Sequence, residues 1–63
     1  MDFKVKAEGL EMELVITDNE FTLTNNGSLI MKTNAPINVL MEGNFNTFFF
    51  ADDCFIKLEM IGD

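Results

Sequence analysis

The stretch Leu10-Glu11-Met12-Glu13-Leu14-Val15-Ile16-Thr17 decides the fold class. Leu10, Met12, Leu14 and Ile16 occupy one parity, and Glu11, Glu13, Val15 and Thr17 the other. Successive side chains of a strand point to opposite faces, so this period of two describes a strand with one buried face. The Leu, Glu and Met content would suit a short helix. A helix, however, needs apolar residues at i, i+3, i+4 and i+7, and the Val-Ile-Thr ending favours β-structure. Upstream, Phe3, Val5 and Ala7 alternate in the same way with Lys4, Lys6 and Glu8. Gly9 separates the two runs and marks either a break or a bulge or bend inside one long strand.

Downstream, turn residues divide the chain into further short runs. Asp18-Asn19 precedes Glu20 to Thr24, with Phe21 and Leu23 on one face. Asn25-Asn26-Gly27-Ser28 is the strongest hairpin signal, because Asn-Gly tolerates positive φ at both central positions of a type I′ turn. Leu29 to Thr33 returns from it, and Pro36, which has no N–H for a ladder, ends that run. Ile37 to Glu42, Phe45 to Phe50 and Cys54 to Ile61 follow, separated by Gly43-Asn44 and Asp52-Asp53. Seven segments joined by tight turns predict one all-β domain over residues 1–63. Its expected form is a small antiparallel meander of six to seven short strands, curled into a barrel or a two-sheet sandwich so that it has a core. Phe3 to Gly9 and Phe55 to Gly62 are faintly alike, but unequal spacings exclude a repeat protein.

A chain of 63 residues buries only about 60% of the surface its unfolded form exposes. Domains of this size usually add a disulfide, a metal or a partner copy. Cys54 is the only cysteine and there is no histidine, so an internal disulfide is impossible and a structural zinc site lacks ligands. A homo-oligomer is therefore expected. Cys54 itself reads as a small buried hydrophobe in a reducing compartment. No secretory leader and no apolar run of membrane-spanning length is present, which points to a cytoplasmic protein.

Eleven acidic residues face four lysines, and arginine is absent. Nucleic-acid binding rests on Lys and Arg neutralising phosphates, so a net charge of −7 excludes it, and anionic membranes with it. A basic protein partner is permitted, and an acidic surface also keeps an apolar-rich chain soluble.

Catalytic chemistry finds few candidates without His, Tyr or Arg. Glu11 and Glu13 share a strand face, and Asp18 and Glu20 flank a turn, but outward carboxylates on an amphipathic strand are ordinarily solvated charges. Ser28 follows a turn glycine with no base near it. Cys54 has Asp52 and Asp53 beside it, the opposite of the electropositive setting a reactive thiolate needs. Neither acidic turn has the spacing of a calcium loop, and the four glycines are scattered rather than gathered into a phosphate-binding loop. The expectation is a non-enzyme without cofactor or metal.

The informative residues are apolar ones on the wrong parity. If Leu10, Met12, Leu14 and Ile16 face inward, Val15 faces out. Leu29 and Met31 then share a face and leave Ile30 opposite, and Leu40 opposes Ile37, Val39 and Met41. Phe48 and Phe50 share a face opposite Phe45, Thr47 and Phe49, while Phe55 and Ile61 oppose Cys54, Ile56, Leu58 and Met60. The second half is apolar on both faces. Either the chain folds over those side chains, or another molecule covers them. The residues expected at an oligomer or partner interface are Ile30, Leu40, Phe48, Phe50, Phe55 and Ile61. The acidic residues expected to meet a partner are Glu11 and Glu13 on a strand face, with Asp18, Glu20, Asp52 and Asp53 on turns.

Together these features predict a small acidic protein-binding module, homo-oligomeric, that occludes a partner surface. In size and charge the chain is similar to phage-encoded inhibitors of host defence proteins, which would place it in the host cytoplasm. A structural subunit of a ring or virion is the second expectation, and a small-ligand-binding β-barrel the third.

Overall fold

The structure is a computed structural model that describes residues 1–62, which hold seven antiparallel strands and no helix. They are β1 (Asp2–Ala7), β2 (Leu10–Ile16), β3 (Glu20–Asn25), β4 (Ser28–Asn34), β5 (Asn38–Glu42), β6 (Phe45–Phe49) and β7 (Phe55–Gly62). Each lies within two residues of a segment that alternation and turn residues delimit.

The strands form one sheet in the order β4-β3-β2-β1-β7-β6-β5. The chain walks outward from β1 to β4, starts again at the far edge with β5, and returns until β7 pairs with β1. The two faintly similar segments are thus neighbours, with Val5 opposite Met60 and Lys6 opposite Glu59.

Three hairpins close on two residues: Glu8-Gly9, Asn26-Gly27 and Gly43-Asn44. Asn26 and Gly27 have φ of 50° and 82°, the positive pair that a type I′ turn requires. Glu8 and Gly9 repeat this at 51° and 80°, so Gly9 belongs to a tight turn and not to a bulge in one long strand. A glutamate in the left-handed region is uncommon, which hides this turn from a reading of residue types.

The sheet is not closed into a barrel, since β4 and β5 do not pair, but it curls strongly. Phe21 on β3 and Phe48 on β6 lie four strand spacings apart, about 19 Å in a flat sheet. Their ring centroids are 5.2 Å apart, edge to face, and Phe50 meets Phe21 at the same distance. Only Ala35, Pro36 and Ile37 separate β4 from β5, and four Cα–Cα steps reach at most about 15 Å. The C-terminal end of β4 is therefore held near the start of β5.

The concave face carries the core. Val5, Met12, Leu14, Phe21, Leu23 and Leu58 are buried there together with Phe48 and Phe50. Each such side chain contributes about 1.5–3 kcal/mol of burial. Phe48 and Phe50 thus correct the interface expectation, since the chain folds over them and they hold β6 against β3. Both parities of β6 are apolar, so alternation cannot tell which one faces inward.

Register accounts for two more off-parity residues. Leu23 pairs with Met31 and Thr24 with Leu29, which leaves Ile30 without a counterpart in β3. Lys4 pairs with Gly62 and Val5 with Met60, which leaves Ile61 without one in β1. Both are bulge residues, and both are exposed. The first bulge also puts Leu29 and Met31 on opposite faces by register, contrary to simple alternation. Cys54 precedes β7 and is exposed, so it is not the buried hydrophobe that its parity implies.

Candidate functional site

Of the large apolar side chains, twelve are exposed and eight buried, so the surface is more apolar than one small core requires. Half of the exposed twelve lie along the two free edges and the connection between them: Leu29, Ile30, Ile37, Val39, Leu40 and Met41. All five residues of β5 are exposed, and β4 buries none of its seven.

The convex face of β5, β6 and β7 adds an aromatic patch. Cross-strand partners share a face, so pairing of Phe49 with Phe55, Leu40 with Thr47 and Phe45 with Glu59 sets these side chains outward. Phe49 and Phe55 lie 6.0 Å apart, and Phe55 is 66% exposed. Lys57 holds its ammonium 5.3 Å from the Phe45 ring, a cation–π contact that leaves Phe49, Phe55 and Leu40 uncovered by charge. Of the expected interface residues, Leu40 and Phe55 share this face, while Ile30 and Ile61 lie on bulges elsewhere.

The acidic residues divide into two groups. Glu11 and Glu13 do share the convex face of β2, but they stand opposite Lys6 and Lys4 of β1. Glu13 also accepts a hydrogen bond from the Thr24 hydroxyl at 3.2 Å. Both carboxylates thus have a lysine as cross-strand neighbour, without a direct ion pair to it among the described residues. Asp18, Glu20, Asp52 and Asp53 come together differently. Strand order leaves the Thr17–Asn19 turn and the Phe50–Cys54 loop at opposite ends of the sheet, but the Ala35–Ile37 connection runs between them, and the curl gathers all three at one acidic end of the molecule.

Backbone bonds tie that end. The Ala35 N–H donates to the Asn19 carbonyl at 3.0 Å, and the Ile37 N–H to the Phe49 carbonyl at 2.8 Å. The Thr17 hydroxyl oxygen accepts from the Glu20 N–H at 3.1 Å, which shapes the first turn. Glu20 is paired with Lys32 at 3.5 Å, the only salt bridge among the described residues, so Asp18, Asp52 and Asp53 keep the most open charge.

Cys54 sits in this acidic end. Hydrogen bonding to and repulsion from Asp52, with Asp53 adding, push its thiol above the ordinary cysteine value. Among the described residues no three His, Cys, Asp or Glu side chains gather as metal ligands. The depressions on the surface are open grooves, such as the one lined by Thr33, Asn34, Ala35, Phe50, Ala51 and Asp52. No helix among the described residues is long and apolar enough to cross a membrane.

No protein-family model, curated protein or solved structure matches this chain.

Proposed function

We propose that this chain is a non-catalytic protein-binding module that works as a homo-oligomer and occludes a surface of a basic partner. One observation carries the reading: large apolar side chains are exposed together along the free edges and the convex face of β5–β7, on a domain that fills its own core. Contiguous apolar surface with polar surroundings marks contact sites, and aromatic residues are enriched at their centres. Asp18, Asp52 and Asp53 at the acidic end supply a field that draws a basic surface and orients it. An inhibitor of the phage-encoded kind, acting in a host cytoplasm, is the form of this function that size and charge favour.

The core makes a small-ligand barrel the weaker alternative, because Phe21, Phe48 and Phe50 fill the concave side. An assembly subunit remains the second reading, with Phe55 rather than Phe48 or Phe50 as its aromatic contact.

Light scattering across concentration tests self-association, and a monomer at every concentration removes it. For a protein captured by the immobilised chain, Phe55→Asp is expected to abolish binding without loss of fold. Reversing Asp52 and Asp53 to Lys is expected to slow association, most at low salt. An unchanged on-rate in the reversed chain removes the steering role.

A further inference from the structure

We infer that two copies of this chain pair through β5, antiparallel about a two-fold axis at Leu40, to make one continuous fourteen-stranded sheet. The inference rests on the reading of the chain as a self-associating module and names the surface that does it.

The two free edges differ in protection. β4 carries a bulge at Ile30 and a lysine, Lys32, both of which discourage strand addition. β5 has neither. Its register with β6 is unbroken from Asn38 to Glu42, and three apolar residues occupy its centre.

The backbone of β5 has matching free groups. Glu42 and Phe45 flank a two-residue turn and form a hydrogen-bonded pair; such pairs alternate, so Leu40 and Asn38 also bond towards β6. Val39 and Met41 therefore direct their N–H and C=O groups outward. Consistently, the Val39 N–H is taken up by the Asn38 side-chain oxygen at 2.9 Å, a local substitute for a strand partner.

Pairing about Leu40 uses all of these groups. Val39 of one copy exchanges two hydrogen bonds with Met41 of the other, twice over by symmetry, and Leu40 faces Leu40 as the central non-hydrogen-bonded pair. Exposed Val39 and Met41 cover each other on the concave side, and half-exposed Leu40 is covered on the convex side.

Charge selects a second copy as the occupant. Residues 37–50 hold a single charged residue, Glu42, in a chain of net charge −7. In this register Glu42 falls opposite Asn38, and the two Glu42 side chains stand four residues apart, about 14 Å, beyond the screening length of about 8 Å. A basic partner is drawn instead to the carboxylates beside the Ala35–Ile37 connection. Pairing also joins the two convex aromatic patches into one.

The test combines cross-linking with mass. Leu40→Cys is made in a Cys54→Ala background. A central non-hydrogen-bonded pair brings Cα atoms to about 4.5 Å, within disulfide range. Under mild oxidation it is expected to cross-link at least about tenfold faster than Ile30→Cys in the same background, because pairing raises the local thiol concentration. Met41→Pro removes an outward N–H, which an edge strand tolerates, and is expected to weaken the dimer by at least about tenfold while circular dichroism stays unchanged. Leu40→Lys, which sets two ammonium groups on the axis, is expected to do the same and serves if the proline variant misfolds.

Equal cross-linking at positions 30 and 40, or an oligomer that persists in both Met41→Pro and Leu40→Lys, overturns β5 pairing and leaves self-association standing. A monomer at every concentration overturns both.

Discussion

The hairpins β3–β4 and β5–β6 occupy equivalent places at the two margins of the sheet and end in opposite kinds of edge. Each closes on two residues, Asn26-Gly27 in one and Gly43-Asn44 in the other. Each sends its inner strand into the core, through Phe21 and Leu23 on one side and Phe48 on the other. Each leaves its outer strand exposed. The outer strand of the first is bulged, partly polar and salt-bridged to its neighbour, whereas that of the second is regular and apolar. The buried core is built without the outer strands, of which only Met31 of β4 packs against it. The outer strands are free to differ, and their difference separates an edge that stays in water from one suited to a partner.

The largest expected effect breaks what the hairpins share. Phe21→Ala removes the ring that touches both Phe48 and Phe50, at a cost of about 3–5 kcal/mol. A domain of this length has about 3–9 kcal/mol of stability in all, so the variant is expected to lose from about a third to all of it. Phe50→Asp, which buries a charge at a core position, is expected to unfold the chain. Phe55→Ala, at an exposed position, is expected to cost under about 1 kcal/mol. Urea denaturation followed by circular dichroism ranks the three. Equal losses for Phe21 and Phe55 would mean that the hairpins do not meet through Phe21.

The next effect compares the two turns. Gly27 and Gly43 have φ of 82° and 61°, with open space where a Cβ would stand. Alanine therefore meets backbone strain and no clash, and each substitution is expected to cost about 1–2 kcal/mol. Glu8→Gly is expected to act in the opposite direction, gaining up to about 1 kcal/mol, because Glu8 already bears that strain at φ 51°. Thermal melts give the sign directly. A stabilising Gly43→Ala would show that the second hairpin is not held by its turn.

These contrasts also show why some of the molecule was legible from residue order and some was not. Strand positions were, because alternation and Asn-Gly or Gly-Asn turns are local properties of a few residues. The inward face of β2 was, because Glu11 and Glu13 exclude the other parity. In β6, Phe48, Phe49 and Phe50 give both parities equal claim, and only distant Phe21 decides between them. The bulges at Ile30 and Ile61 look like ordinary apolar positions until a partner strand fixes the count. The β1–β7 pairing joins opposite ends of the chain, where no turn signal exists. Of the candidate surface, the turn carboxylates were visible as residues. Their gathering at one end follows from the curl of the sheet and the Ala35–Ile37 connection, and the placing of Glu11 and Glu13 opposite lysines follows from register.

A smaller effect sharpens the difference between the edges. Lys32→Val removes the charge from β4 together with its exposed pair to Glu20. Exposed pairs contribute about 0–1 kcal/mol, so stability is expected to change little. Association is expected to change more, with a higher mass at a given concentration, because the first edge now resembles the second. Light scattering of this variant beside Met41→Pro separates the edges. If stripping Lys32 leaves the mass unchanged, the bulge at Ile30 alone protects β4.

The smallest effect concerns the loops at the acidic end, which follow β6 on one side and precede β3 on the other. Only the first carries a thiol, so it reports the local field. Asp52 holds the Cys54 thiol protonated above its ordinary range, mainly through a hydrogen bond and then through repulsion of the thiolate. Asp52→Asn is expected to shift the pH profile of alkylation by iodoacetamide to lower pH, since more thiolate is present at any pH below the midpoint. Asp53→Asn, which removes the weaker repulsion, is expected to shift it less. Asp18→Asn in the opposite turn is expected to leave it in place. A profile that follows Asp18 as strongly as Asp52 would mean that the acidic end acts as one collective field. A profile that follows Asp52 alone would confine the effect to the Phe50–Cys54 loop and leave the two turns independent as contacts for a basic partner.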